Sequence, residues 1–155
     1  MLRISRLTDY ATVILASLGG GGLASAADIA ERIHIGLPTV SKLLKELQHA
    51  GLVKSVRGAR GGYQLARPAT GISAADIIDA VEGPVALTEC ASGSGQCGIE
   101  TTCAVGHGWQ GVSQAIRRAL IGISLTDLVS RDGEFPTPEL HRPAARGEWQ
   151  PLVRG

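Results

Sequence analysis

Between Gly51 and Ala66 the chain reads Leu52-Val53-Lys54-Ser55-Val56, then Arg57-Gly58-Ala59-Arg60-Gly61-Gly62, then Tyr63-Gln64-Leu65-Ala66. Two short β-prone runs around a glycine-rich tip predict a hairpin whose turn carries two arginines. Upstream the hydrophobic period is helical three times over. Thr8 is placed to cap a first helix, with Asp9 in its first turn and Tyr10, Val13, Ile14 and Leu18 on one face before Gly19 to Gly22 stop it. Ser25, with Asp28 three residues on, caps a second helix with the stripe Ile29, Ala30 and Ile33. After Ile35-Gly36-Leu37, Pro38 suits the first turn of a third, in which Val40, Leu43, Leu44 and Leu47 recur at i, i+3, i+4 and i+7 and Gly51 ends the run. Three helices followed by a two-stranded ribbon is the order of a winged helix-turn-helix. The expected fold class is therefore mainly α with a small β-wing: a winged helix-turn-helix domain over residues 1–68, ended by Pro68, plus a long C-terminal dimerisation helix.

A chain of 155 residues, 44% hydrophobic and 3% aromatic, is expected to hold one domain, or one domain with an appended element, around an aliphatic core. Its formal charge of +1 says nothing about a partner, but the distribution does. Residues 1–70 carry nine Lys/Arg against four Asp/Glu, and residues 71–155 carry six against ten. The first half is basic and the second acidic, which points to a basic working face. The uncharged stretch from Tyr10 to Ala27, with Ala24-Ser25-Ala26 near its end, has the look of a secretion signal. Asp9 and the four glycines oppose that reading, and the glycines also interrupt any membrane span. The expected location is cytoplasmic, without membrane contact.

The polar face of the third helix offers Thr39, Ser41, Lys42 and Lys45 near its N-terminal half, together with Gln48 and His49. A major groove admits one α-helix and displays donors and acceptors that distinguish every base pair. Arg57 and Arg60 sit beside glycines, so the hairpin tip can approach phosphates or enter a minor groove. A charged helix face is often no more than a solvated one. Element order, the basic tip and the basic half agree, however, and the expected partner is double-stranded DNA. A nucleotide-binding loop is excluded: no Lys-Ser/Thr follows the glycines, and a strand comes next. No substrate-pocket chemistry is visible, so an enzyme is not expected.

Downstream, Ser73 with Asp76 starts a connecting helix within residues 69–87, running through Ile77, Ile78 and Val81 to Gly83-Pro84. Residues 88–108 have no period and read as a loop. Residues 109–131 are periodic through Val112, Ile116, Leu120, Ile123, Leu128 and Val129, with Arg117 and Arg118 toward solvent. That segment is too apolar to stand alone, and packing on another helix or a symmetry mate is expected. Residues 132–155, with four prolines, read as a mobile tail.

All three cysteines lie in that loop as Cys90-x6-Cys97-x5-Cys103, with His107 four residues further on. Closely spaced thiolates on a glycine-rich loop can wrap a metal centre. Structural zinc prefers Cys-x2–4-Cys pairs, which are absent; three soft sulfurs and one further ligand suit an iron–sulfur cluster better. Free thiols, or a pair that oxidises to a disulfide, remain the alternative.

Leu7-Thr8-Asp9-Tyr10-Ala11, Pro38 through Leu44, and Gly51-Leu52-Val53 through Arg57-Gly58-Ala59-Arg60-Gly61-Gly62-Tyr63 resemble the IscR-type (Rrf) family of winged-helix transcription regulators. The cysteines after Val81-Glu82-Gly83 and the Ile123 to Leu128 segment match as well, so the resemblance spans residues 1–131. Within the family, Thr88-Glu89-Cys90, Gln96-Cys97-Gly98-Ile99 and Trp109 look most like the regulators of the SUF iron–sulfur assembly system. The resemblance implies a homodimer that binds a pseudo-palindromic operator and regulates cluster-assembly genes, as a repressor, through a 2Fe–2S cluster (a 4Fe–4S cluster being the second choice). It places Cys90, Cys97 and Cys103 on the family's three ligand positions. The family's histidine ligand lies three residues after the last cysteine, where this chain has Gly106; His107, one later, is the expected fourth ligand. Asp9 matches an N-terminal aspartate that completes the set in other members. The implied mechanism is an order–disorder switch of residues 88–108 that changes the spacing of two recognition helices. Two other readings compete: a metal-free thiol-switch repressor, and a small iron–sulfur redox protein.

Overall fold

Ser5, three residues before the expected cap, begins the first helix. It has extended backbone and its Oγ accepts from the Thr8 amide at 3.3 Å. In this computed structural model, which describes residues 4–85, 87 and 106–130 (of 106 and 107 the backbone only), α1 spans Arg6–Leu18. Thr8 therefore lies inside the helix, buried, with its hydroxyl donating to the Glu82 carboxylate. Both residue types can cap; a contact 74 positions away decided between them.

The second helix, α2, covers Ala26–Ile33 and opens on the expected Ser25–Asp28 capping box. It ends at His34 in the left-handed region (φ 55°). The third, α3, covers Leu37–His49 with Pro38 in its first turn, and Gly51 follows at φ 73°. Strands β1 (Val53–Val56) and β2 (Gly62–Leu65) pair antiparallel, with Val53 opposite Leu65 and Val56 opposite Gly62. A 3-10 turn over Ala69–Gly71 leads to α4 (Ala74–Glu82), which opens on the expected Ser73–Asp76 box and stops at Gly83 (φ 86°).

One expectation needs correcting. The periodic segment 109–131 is not one helix but two, α5 (Gly106–Ile121) and α6 (Leu125–Val129). The cause is local: Gly122 breaks the run, and Ser124–Asp127 forms a third capping box that starts a new helix. The break also lets the backbone pair with the start of α4. Ala74 N–H donates to Ile123 at 2.8 Å, and Leu125 N–H donates to Ile72 at 2.7 Å.

The core is aliphatic, as the composition requires. Ile14, Leu15, Ile29, Val40, Leu43, Leu44, Leu47, Leu52, Ile72, Ile77 and Leu125 are all essentially inaccessible. Each such side chain contributes about 1.5–3 kcal/mol relative to exposure. Residues 88–105 and 131–155, which hold the cysteines and the expected mobile tail, lie outside the described residues. Among the described residues no helix is long and apolar enough to cross a membrane.

Three carboxylates on α4, three residues apart, each tie it to a different element. Asp76 pairs with Arg67, just after the wing, at 3.0 Å. Asp79 takes Arg117 of α5, whose Nη1 donates to Oδ1 at 2.7 Å. Arg117 thus does not simply face solvent as expected; a partner 38 positions away holds it. Glu82 accepts from the Ser5 amide at 2.9 Å and from the Thr8 hydroxyl, so it supplies negative charge to the start of α1. The Thr8 and Ser5 hydrogen bonds hold the Glu82 carboxyl below its ordinary value of 4.5. A depressed folded pKa stabilises above that ordinary value, and the contribution is lost as pH falls through the folded one. Thr8→Val should therefore lower the melting temperature at pH 7, with a difference from wild type that shrinks once pH falls below the ordinary value of 4.5 and Glu82 protonates. A constant difference from pH 7 to pH 3 would show that the hydroxyl does not act through the carboxylate.

Candidate nucleic-acid interface

The apolar stripe of α3 is buried, and this orients everything on its other side. Lys42, Lys45, Gln48 and His49 are exposed, while Thr39 and Ser41 are half-buried at its edge. Lys42 lies 3.8 Å from Glu46, one turn on, with 65% of its side chain in solvent. An exposed pair of this kind is worth a few tenths of a kcal/mol, so Lys42 can leave it for a phosphate. At the N-terminal end Gly36 supplies no side-chain cap, Pro38 has no N–H, and the Thr39 and Val40 amides turn back to the Gly36 carbonyl, so what favours an approaching anion there is the helix dipole.

The wing is built close against this helix. Gln48 Nε2 donates to Ser55 Oγ on β1 at 3.2 Å. Leu52 N–H donates to Leu47 at 2.9 Å, and Ala66 N–H donates back to Leu52 at 3.0 Å. On its far side β2 pairs with the residue ahead of α2: Tyr63 and Ala24 exchange backbone hydrogen bonds of 2.8 and 3.1 Å. The turn needs its glycines. Gly58 sits at φ 123°, and Gly61 is folded so tightly that an added Cβ would lie 2.3 Å from the Val56 carbonyl oxygen. Arg57 and Arg60 consequently stand exposed at the tip with no carboxylate beside them among the described residues. Helix face, helix N-terminus and basic tip belong to one hydrogen-bonded unit.

Two contributors escaped the sequence reading. Lys54 adds an exposed cation on β1, legible in principle from strand alternation. The Gln48–Ser55 bond had no sequence signal, because it depends on how the hairpin folds back on the helix. The expected metal ligands fare differently. Cys90, Cys97 and Cys103 lie outside the described residues, and His107 falls in the first turn of α5. Asp9 is exposed in the first turn of α1, beside the groove bounded by Ile4, Ile77, Leu120 and Leu128. Among the described residues, no three His, Cys, Asp or Glu side chains gather as a metal site.

A recognition helix seated in a helix-turn-helix and locked to a basic wing defines a duplex-DNA-binding protein. A family model described as "Iron-dependent Transcriptional regulator" (Rrf2) matches residues 4–131. The HTH-type transcriptional regulator IscR of Cereibacter sphaeroides is 33% identical over 138 residues, which cover 84% of this chain and 89% of that one. Among solved structures, CymR, the global cysteine regulator of B. subtilis, is 33% identical with a TM-score of 0.62, covering 83% of this chain and 96% of its own. The IscR of T. potens is 34% identical with a TM-score of 0.60, covering 86% and 89%. The chain belongs to the Rrf2 family of winged-helix transcription regulators, and its work is DNA binding rather than catalysis.

Proposed function

We propose that this protein is a cytoplasmic, homodimeric repressor of iron–sulfur cluster assembly genes that senses cluster supply. Cys90, Cys97, Cys103 and His107 would hold the cluster, as 2Fe–2S rather than 4Fe–4S. The observation that carries this reading is the placement of three thiols between α4 and α5 in a chain 33% identical to an IscR. Three thiolates and one imidazole form a donor set that suits iron–sulfur chemistry. When bound, the cluster supplies iron–thiolate bonds that form or break with supply and redox state. The protein's own part is to couple that segment to α5. Leu87 N–H, three residues before Cys90, donates to the buried Ser113 Oγ at 3.2 Å. Along α5, Trp109 (45%), Val112 (43%) and Ile121 (54%) are left in solvent, and these apolar side chains fit pairing with a second copy. A two-fold dimer reads a pseudo-palindromic operator.

Similarity to CymR, a global cysteine regulator, favours a second reading in which the same thiols act without metal. A small electron carrier is the weaker choice, since it has no use for a basic recognition helix. Protein purified without oxygen decides. A brown protein with bands between roughly 320 and 460 nm and stoichiometric iron and sulfide supports the cluster. Loss of both in Cys97→Ala identifies a ligand. A colourless protein after anaerobic reconstitution, with an oxidant-induced shift on a non-reducing gel, would instead support the thiol switch.

A further inference from the structure

α5 packs on α4, and besides the Leu87–Ser113 hydrogen bond in its N-terminal half it is tied to the winged-helix unit near its C-terminal end. Its C-terminal end is held by the paired backbone around Ser73 and Ser124. Backbone pairing at one end would by itself leave the helix free to pivot. Arg117 opposes that pivot with a charged contact to α4: it grips Asp79 through both terminal nitrogens, with Nη1 at 2.7 Å from Oδ1 and Nη2 on Oδ2. A two-pronged guanidinium–carboxylate contact fixes orientation as well as distance. Asp79 bonding and the nearby Asp76 charge also raise the Arg117 pKa. The neighbouring Arg118, by contrast, is exposed. On its other side α4 packs on α3, and Asp79 and Ala80 border a groove whose opposite wall is Lys45, Glu46, His49 and Ala50. The grip on α5 is thus one helix away from the residues that face DNA.

We propose that Arg117 and Asp79 form a specificity-determining positioning pair, which fixes the angle between α5 and α3 and so sets the operator half-site spacing the dimer accepts. This rests on the reading of α5 as the dimer helix. The leverage is large. Half-sites of helix-turn-helix dimers lie about 34–36 Å apart. A helix of 16 residues is about 24 Å long, so a swing of about 10° displaces its far end by about 4 Å. That exceeds the rise of one base pair, about 3.4 Å.

The test is selection from a random pool of duplexes with the full-length protein, followed by sequencing. Wild type should enrich pseudo-palindromes of one spacing, favoured about tenfold over spacings one base pair shorter or longer. Asp79→Asn and Arg117→Gln should each reduce that preference to about twofold, and the double variant should do no more than either. Arg117→Lys, which keeps the charge but not the fork, should fall between. Exchanging the two, Asp79→Arg with Arg117→Asp, should restore a single spacing, which no merely destabilising change would do. Melting temperature and dimer mass by light scattering identify folded variants, and Arg117→Lys carries the test if the others unfold. A sharp wild-type spacing retained in folded Asp79→Asn or Arg117→Lys overturns the proposal while leaving the dimeric regulator intact. Enrichment of single half-sites, or of nothing, overturns the dimer reading and the proposal with it.

Discussion

Changing Lys42 and Arg60 together to alanine is expected to weaken duplex binding by on the order of a thousandfold. Two side chains in each of two protomers make four contacts. At about 1 kcal/mol each they sum to about 4 kcal/mol, or nearly three decades in affinity. Both residues are exposed, and among the described residues neither carries a structural bond beyond the weak Lys42–Glu46 pair. Melting temperature should stay within a degree or two. The single variants should separate by mechanism. Lys42→Ala removes a phosphate contact and should lower the slope of log affinity against log salt by about two per dimer. Arg60→Ala should do the same if the tip stays on the backbone. It should additionally flatten the preference for A·T-rich flanks if the guanidinium enters a narrow minor groove. Titration of a labelled operator at several salt concentrations reads all of this. Unchanged affinity in the double variant would remove α3 and the wing from the interface and with them the regulator reading.

What the sequence disclosed follows from how local each signal is. The boxes at Ser25–Asp28 and Ser73–Asp76 were legible because cap and partner lie within one turn. Ser124-Leu125-Thr126-Asp127 has the same form, but the apolar period runs straight through it. Pattern continuity masked a start signal there. The first helix cap failed for the opposite reason. Ser5 and Thr8 are equivalent locally, and only Glu82, which follows five intervening elements, tells them apart. Arg117 looks solvent-facing in the sequence for the same reason, since Asp79 belongs to a different helix. The candidate interface was the most legible part. Burying Val40, Leu43, Leu44 and Leu47 leaves Lys42 and Lys45 nowhere to point but outward. The way the wing is held relative to that face was not legible, because it depends on contacts between Gln48 and Ser55 and between Ala24 and Tyr63.

Gly62→Ala should be among the most damaging single-methyl additions to this protein, although Gly62 has no unusual φ and lies in a strand. The reason is the approach of a third segment. A Cβ at Gly62 would lie 2.7 Å from the Ala24 oxygen, 2.8 Å from its carbonyl carbon and 3.0 Å from its nitrogen. These are backbone atoms of a buried residue and cannot swing aside. Relief requires β2 to move off Ala24, which breaks the two Tyr63–Ala24 hydrogen bonds and opens the seam between wing and α2. Two such bonds at about 1 kcal/mol each, plus lost packing, predict a cost of about 2–3 kcal/mol. For a domain of this size that is a fall in melting temperature of roughly 5–10 °C. Gly20→Ala, where an added Cβ meets nothing within 4 Å, is the matched control and should melt with wild type. The functional consequence separates position from chemistry. Because the displaced wing still carries both arginines, Arg60→Ala should cost less affinity in the Gly62→Ala background than in wild type. Equal costs in the two backgrounds would mean that Arg60 reaches DNA without the Ala24–Tyr63 seam, and that the wing is held by α3 alone.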